Sequence, residues 1–337
     1  MSLPTRISSS SSRISVVEGL RGLASISVAV FHFSGSLSSE TVRALSAFTA
    51  LGVDVFFVIS GFVIPLSIYG RGYQLGHFPS FMLRRLVRLE PPYLATIAMV
   101  IVLGHISTIM PGFQGGSWNY SLGQVASHFL YIVPLTEHKW LQPIYWSLAY
   151  EFAFYIFVGL LFPFLIDRRI EWTVLVAAVI YGLISLMKGA FDVRILQFIV
   201  GVLLMRFVVE KRDRASTAVW LATAVALVFW TGGLLFGAKV AFTVVAILLW
   251  RNVEFGRWAY FLGGLSYSLY LIHVPIGGRV VNLGRRFGDG PLYDLALITV
   301  ALIISIVFAV YFARFIERPA IQLSRKIKLP RSVPQLS

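Results

Sequence analysis

The sequence predicts an all-α integral membrane protein with about ten transmembrane helices and both termini cytoplasmic. Three observations predict it. Of 337 residues, 57% are apolar or aromatic and 13% are charged, where a soluble domain carries about a quarter charged residues. A single soluble core stops growing near roughly 250–300 residues, so this much apolar surface needs lipid as its solvent. The apolar residues also fall in long runs between short polar joints, as helices of about 20 residues crossing about 30 Å of hydrocarbon would require.

In chain order, residues 1–17 hold a serine run and two arginines without hydrophobic periodicity and read as a disordered cytoplasmic tail. Spans are placed at 20–36, 50–69, 92–110, 148–166, 172–188, 192–209, 217–235, 238–250, 258–276 and 292–316. Ser34, Gly35 and Ser36 follow the first run as they would follow a signal peptide. Arg21 and His32 inside that run suit a retained span better. The apolar stretch Val125 to Leu135 is about 11 residues, too short to cross as a helix.

The basic residues test that reading, because they collect on the cytoplasmic side of spans. Ten spans put 20 Lys and Arg inside and 8 outside, with Arg21 at the membrane; an extra span at 125–135 changes the count to 13 against 15. The ten-span topology is therefore preferred. One membrane domain covers 18–320, a basic cytoplasmic tail covers 321–337, and no second soluble domain or fixed-period repeat is visible. The expected location is the inner (cytoplasmic) membrane of the cell, multi-pass.

The net charge of +14 reads as an inward-facing collar, which disposes of nucleic acid as a partner. Zero cysteines exclude disulfides, thiolate nucleophiles and cysteine-type metal sites. His77, His105, His128 and His138 are scattered over loops and span ends, so no metal is expected. No phosphate-cradling or dinucleotide glycine motif is present.

Ionisable groups inside spans are costly and are functional candidates by default. In the first span Arg21 and His32 lie 11 residues apart, about 20° from whole turns and about 16 Å along the helix, so they share a stripe with Ser25. The bland alternatives are a snorkelling arginine and a packing histidine. The second span carries Asp54 and is weakened at Gly61 and Pro65, as where backbone lines a cavity. The fourth carries Trp146 and the stripe Ser147, Glu151 and Tyr155; the ninth carries the stripe Ser266, Tyr270 and His273.

Counting about 1.5 Å per residue from each inner end places Asp54, Glu151 and His273 about 22 Å deep, with His32 near 16 Å from Arg21. Arg84, Arg85 and Arg88 lie at the inner surface. Arg85 and Arg88 are i, i+3 on a short helix, a spacing suited to an anion such as a phosphate. Together these groups suggest a phosphate-bearing donor entering from the cytoplasm and a mid-membrane histidine acting as general base.

These residues resemble the acyltransferase-3 family of integral membrane O-acyltransferases. The resemblance rests on Glu18-Gly19-Leu20-Arg21-Gly22 with His32, Gly52 to Phe62, Arg84-Arg85-Leu86-Val87-Arg88, Trp146-Ser147-Leu148 with Glu151, Leu265 to His273, and Glu317-Arg318-Pro319. It implies a ten-span helical fold, transfer of an acyl group, commonly acetyl from acetyl-CoA, to a glycan or small-molecule hydroxyl, and His32 and Arg21 as catalytic partners. The chain resembles the stand-alone form, without a fused hydrolase-like domain.

The resulting expectation is that no cofactor is permanently bound and that acyl-CoA is the donor substrate, its phosphates on Arg84, Arg85 and Arg88. His32 then deprotonates an acceptor hydroxyl from the outer side while Glu151 or Asp54 orients the imidazole. His273, Tyr270, Ser266, Trp146 and Ser147 are expected on the acceptor side. The acceptor is expected to be a glycan, a lipid-linked sugar or another hydroxyl compound. A secondary transporter or flippase for an anionic or glycolipid substrate is the competing class.

Overall fold

A computed structural model describes residues 14–48, 52–110, 119–165, 194–209 and 214–329. The span expected at 172–188 lies outside the described residues. Among those described, all regular structure is helical. The elements are α1 (Ser15–Ser34), α2 (Glu40–Phe48), α3 (Gly52–Leu66), α4 (Phe78–Thr108), α5 (Leu122–Phe129), α6 (Trp146–Leu165), α7 (Arg194–Val209), α8 (Arg214–Trp250), α9 (Gly256–Ile272), α10 (Gly278–Gly284), α11 (Pro291–Phe312) and α12 (Arg318–Arg325). Among the described residues six helical runs are long and apolar enough to cross a membrane: 15–34, 75–108, 146–165, 214–250, 256–284 and 291–325. The second predicted span is the shorter apolar helix α3.

Several boundaries differ from expectation for physical reasons. Residues 15–17, assigned to the tail, are the buried first turn of α1. Residues 321–325, assigned to the basic tail, complete α12. The third span starts at Phe78 instead of 92, because the helix runs through Pro91 and Pro92. Each proline removes one backbone donor, a loss that membrane helices tolerate when neighbouring groups compensate. Consequently Arg84, Arg85 and Arg88 stand on the first turns of a 31-residue helix, not on a separate surface helix. The 125–135 stretch forms the eight-residue α5 and a short 3-10 turn.

α8 contains both the seventh and eighth predicted spans. The chain turns at Gly233 (φ 82°, ψ 177°), a conformation that only glycine adopts readily. The Phe229 ring packs directly over Gly237, whereas residues eight apart in a straight helix are about 12 Å apart along the axis. α8 is thus two arms folded at Gly233. α9 and α11 continue into α10 and α12 through π turns at His273–Gly277 and Ala313–Glu317.

Two helix crossings organise the core. α1 lies along α9, where a Cβ on Gly22 would stand 2.4 Å from Leu262 Cβ and one on Gly263 2.6 Å from the Glu18 carbonyl oxygen. α3 lies along α7 with Gly61 and Gly201 facing each other, a Cβ on Gly201 falling 2.6 Å from Gly61 Cα. Gly61 therefore serves close packing rather than the helix weakening read from sequence, and α3 is continuous through it. In lipid, where apolar area does not drive helix association, such close backbone approach is a main source of attraction.

Candidate active site

The α1–α9 crossing places His32 against His273, ring centroids 5.3 Å apart and tilted by 43°. His32 is half-buried and His273 is fully buried. His273 Nδ1 lies 3.1 Å from the Leu269 carbonyl oxygen, while its Nε2 has no hydrogen-bond partner among the described residues. Tyr270, one turn earlier, donates to the Ile144 carbonyl at 2.9 Å and meets Ser147 Oγ at 2.5 Å. Three sequence-selected helices thus converge: α1 with His32, α9 with Tyr270 and His273, and α6 with Ser147.

Glu151 lies one turn below Ser147 on α6. Its Oε1 accepts from Tyr155 at 2.5 Å and from Ser60 at 3.2 Å. A small cavity beside it is lined by Leu86 and Leu89 of α4, Tyr155 of α6, Tyr267 of α9 and Tyr131 of the 122–135 segment. Tyr131 stacks between Tyr93 and Phe152, with centroids 5.3 and 4.6 Å away. It holds φ at +57°, uncommon for a bulky residue and often found where structure imposes strain at a site. Burial pushes its phenol well above the ordinary range, leaving a neutral hydroxyl.

The arginines divide. Arg85 donates to Ser67 Oγ at 2.9 Å and lies over the rings of Phe81 and Tyr155, 5.5 and 5.3 Å from their centroids. It reaches inward to the Glu151 network instead of remaining at the inner surface. Arg84 has Arg71, Arg88 and Arg325 as its charged neighbours, all of one sign. The close packing of α12 on α4 brings Arg325 there. Arg21 is 3.9 Å from Glu18 on its own helix. Arg21 and Arg88 are also the cationic neighbours of Glu317, which accepts from Ser268 Oγ. Arg21 and Arg88 therefore share one carboxylate.

Three expected site residues are committed elsewhere. Asp54, expected to orient His32, is buried and ion-paired with Lys239 at 3.1 Å, with Gln197 donating to its other oxygen at 2.7 Å. Its charge therefore balances an ammonium on α8. Ser266 shares the face of Tyr270 but turns its hydroxyl back to the Gly263 carbonyl at 2.7 Å. Trp146 takes the Arg194 guanidinium on its ring at 4.3 Å and packs against Phe57, tying α6 to α7 and α3.

Sequence reasoning missed Lys239, counted as an outer-loop residue, as well as Gln197 and Tyr131, and it noted Glu317 and Tyr267 only within motifs, without a role. A lone lysine in the run Gly237 to Trp250 was a usable signal, since a charge within an apolar helix needs a partner. Among the described residues no three His, Asp or Glu side chains cluster as metal ligands do.

A family model described as an acyltransferase domain, that of the acyltransferase-3 family, matches residues 14–310. The chain is similar to O-acetyltransferase OatA of Staphylococcus aureus (strain NCTC 8325 / PS 47), 25% identical over 361 residues covering 90% of this chain and 56% of that protein. It is also similar to Putative O-acetyltransferase SACOL0978 of Staphylococcus aureus (strain COL), 24% identical over 363 residues with the same shares covered. The chain thus spans 56% of the length of these relatives. No solved structure matches it. The family match embraces every helix that carries the histidine contact, the tyrosine–serine pair and the arginine cluster on α4, and this multi-pass membrane chain belongs to the acyltransferase-3 family.

Proposed function

We propose that this chain is a membrane-bound O-acyltransferase. It moves an acyl group, acetyl in the first instance, from cytoplasmic acyl-CoA to a hydroxyl of a cell-surface glycan or another sugar-containing acceptor, with His32 as general base. The observation that carries this reading is the contact of half-buried His32 with fully buried His273 at the α1–α9 crossing. A basic ring nitrogen there lies on the same stripe of α1 as Arg21, the group nearest the inner face.

The donor phosphates rest on Arg84 and Arg88; the charged neighbours of Arg84 are Arg71, Arg88 and Arg325, a cationic surface that favours an anion. Arg85 supports them from below through its contacts with Ser67 and Tyr155. The thioester arm runs past Arg21 toward His32. An imidazole nitrogen of His32 takes the proton of the acceptor hydroxyl as that oxygen attacks the thioester carbon, and the tetrahedral intermediate collapses with loss of the CoA thiolate, which recovers the proton. The Tyr270–Ser147 pair faces the acceptor, and Glu151 supplies a negative field that favours the imidazolium.

The test is acetyl-CoA consumption by purified protein in detergent, with free CoA and acylated acceptor both measured. Wild type is expected to release CoA only with a hydroxyl acceptor present, and His32→Ala to release none above background while still inserting and folding. Substrate movement across vesicles without CoA release supports the transporter reading and sinks the transferase. Comparing surface glycans by mass spectrometry, with and without the chain, identifies the acceptor through the gain of one acyl group.

A further inference from the structure

The two fully buried histidines differ in how their nitrogens are used. His128, on α5, has Nδ1 2.8 Å from the Gln124 carbonyl, and its Nε2 accepts from Leu141 N at 3.0 Å. Both nitrogens are occupied, and the ring is a neutral bracket holding the 122–141 segment together. His273 has only half of this. A carbonyl oxygen can only accept, so Nδ1 carries the hydrogen bonded to Leu269, and the tautomer is thereby set. Nε2 is left as a bare lone pair, fully enclosed and without a donor among the described residues.

A buried acceptor without a donor is costly to maintain, so the open Nε2 calls for one. The nearby Tyr270 does not serve, because its single hydroxyl hydrogen goes to the Ile144 carbonyl. The neighbouring ring able to supply an N–H is His32. Two imidazoles joined end to end by an N–H···N bond of about 2.9–3.0 Å have centroids about 5.2 Å apart, since each nitrogen lies about 1.1 Å from its ring centre. The observed separation is 5.3 Å. The two rings thus stand at the separation such a bond requires. The π turn that begins at His273 adds a residue to the helix turn there, a device found often at functional sites.

We propose that His273 is the positioning residue for His32, filling with a neutral ring the role that Asp54 and Glu151 were expected to fill. Its Nε2 receives one N–H of His32, which fixes the other His32 nitrogen as a lone pair turned to the acceptor hydroxyl. When His32 takes the acceptor proton, the same bond becomes charge-assisted and holds the imidazolium. His273 stays neutral and carries no proton onward, because Leu269 already occupies its hydrogen. The titratable groups in ring contact with His273 are His32 from α1 and Tyr270 from α9. α4, α10 and α11 also pack on or beside the π turn; from α10, Arg279 donates to the Pro275 carbonyl within that turn, and the titratable group acting on His273 itself is His32.

This inference rests on the transferase reading, and its test separates the two. His273→Leu and His273→Gln are compared with wild type for kcat, for KM of donor and acceptor, and for the pH profile of kcat/KM. His273→Leu is expected to lower kcat about 10–100-fold, the loss seen when a hydrogen-bond partner orienting a metal-bound histidine is removed and less than the roughly 10⁴-fold for a charged orienting carboxylate. Donor KM is unchanged, and the acidic limb moves to lower pH because the imidazolium loses its acceptor and His32 gives up its proton more readily. His273→Gln, whose carbonyl oxygen can receive the same N–H, restores most of both effects.

An unchanged kcat and pH profile in His273→Leu overturns the proposal. So does a rise in acceptor KM alone, which would make His273 a substrate contact. A folded His273→Gln no better than His273→Leu overturns it as well. Nitrogen-15 NMR of histidine-labelled wild type in detergent reads the bond without turnover. The expected spectrum has His273 protonated at Nδ1 and a His32 N–H shifted by a nitrogen acceptor, the latter shift disappearing in His273→Leu. Its absence in wild type refutes the dyad even if the protein transfers no acyl group, whereas a dyad present in an inactive protein refutes the transferase reading alone.

Discussion

Two buried polar clusters sit on either side of α3, and they are built on opposite principles. In one, α3, α7 and α8 bring Asp54, Gln197 and Lys239 together, and both carboxylate oxygens are engaged at 2.7 and 3.1 Å. Gln197 Oε1 is the leftover acceptor. In the other, α1, α6 and α9 bring His32, Ser147, Tyr270 and His273 together, and a ring nitrogen is left open beside a half-buried imidazole. A carboxylate and an ammonium in a lipid-facing bundle cancel only when held together, so the first cluster fixes helix positions. An open nitrogen that no donor among the described residues occupies remains free to receive the His32 N–H. Equal burial and equal sequence prominence therefore conceal different work.

The largest expected effect tests the second cluster. His32→Gln lowers CoA release by about 10²–10⁴-fold, the range for loss of a general base, with little change in thermal stability. A matching loss of stability would make His32 a packing residue. Next in size, Lys239→Met strands the Asp54 charge and costs about 3–5 kcal/mol, read as a fall in melting temperature. The double variant Asp54→Leu with Lys239→Met recovers most of that stability and keeps transfer activity. A stable but inactive double variant would return Asp54 to the chemistry and erase the contrast.

Smaller effects sharpen it. Arg88→Gln raises the acyl-CoA KM about 10-fold or more, since a charge-assisted hydrogen bond contributes about 1.5–3 kcal/mol, and weakens the salt dependence of donor binding. An unchanged donor KM would move the phosphate site off α4. Tyr270→Phe removes one hydroxyl from the Ser147–Ile144 arrangement and costs about 1 kcal/mol of stability. If acceptor KM stays at the wild-type value, the pair is only a brace between α6 and α9.

How far the sequence reached depended on whether a property was local. The membrane class, the span positions at α1, α6 and α9, and the stripes containing His32, Ser147, Tyr270 and His273 follow from composition and the 3.6-residue period. The depth count also anticipated that His32 and His273 would lie at comparable levels. It did not anticipate that Arg85, two turns from the helix start, would reach to Tyr155, because a long side chain spans several ångströms that helix arithmetic leaves out.

The sequence by itself determined that this chain lives in lipid, that its few intramembrane charges are candidates for function, and, through ordered motifs, its family. Those properties are sums over residues or periodic along one helix. Only the tertiary structure decided which charge met which. Asp54 and His32 look alike as isolated polar groups in apolar helices, and Lys239 looks like a loop residue. A partner 185 positions away turned Asp54 into an ion pair, while the crossing of α1 with α9 set an open nitrogen beside His32. Hydrogen bonds and ion pairs are short-ranged, so their assignment depends on helix contacts that no single stretch of sequence contains.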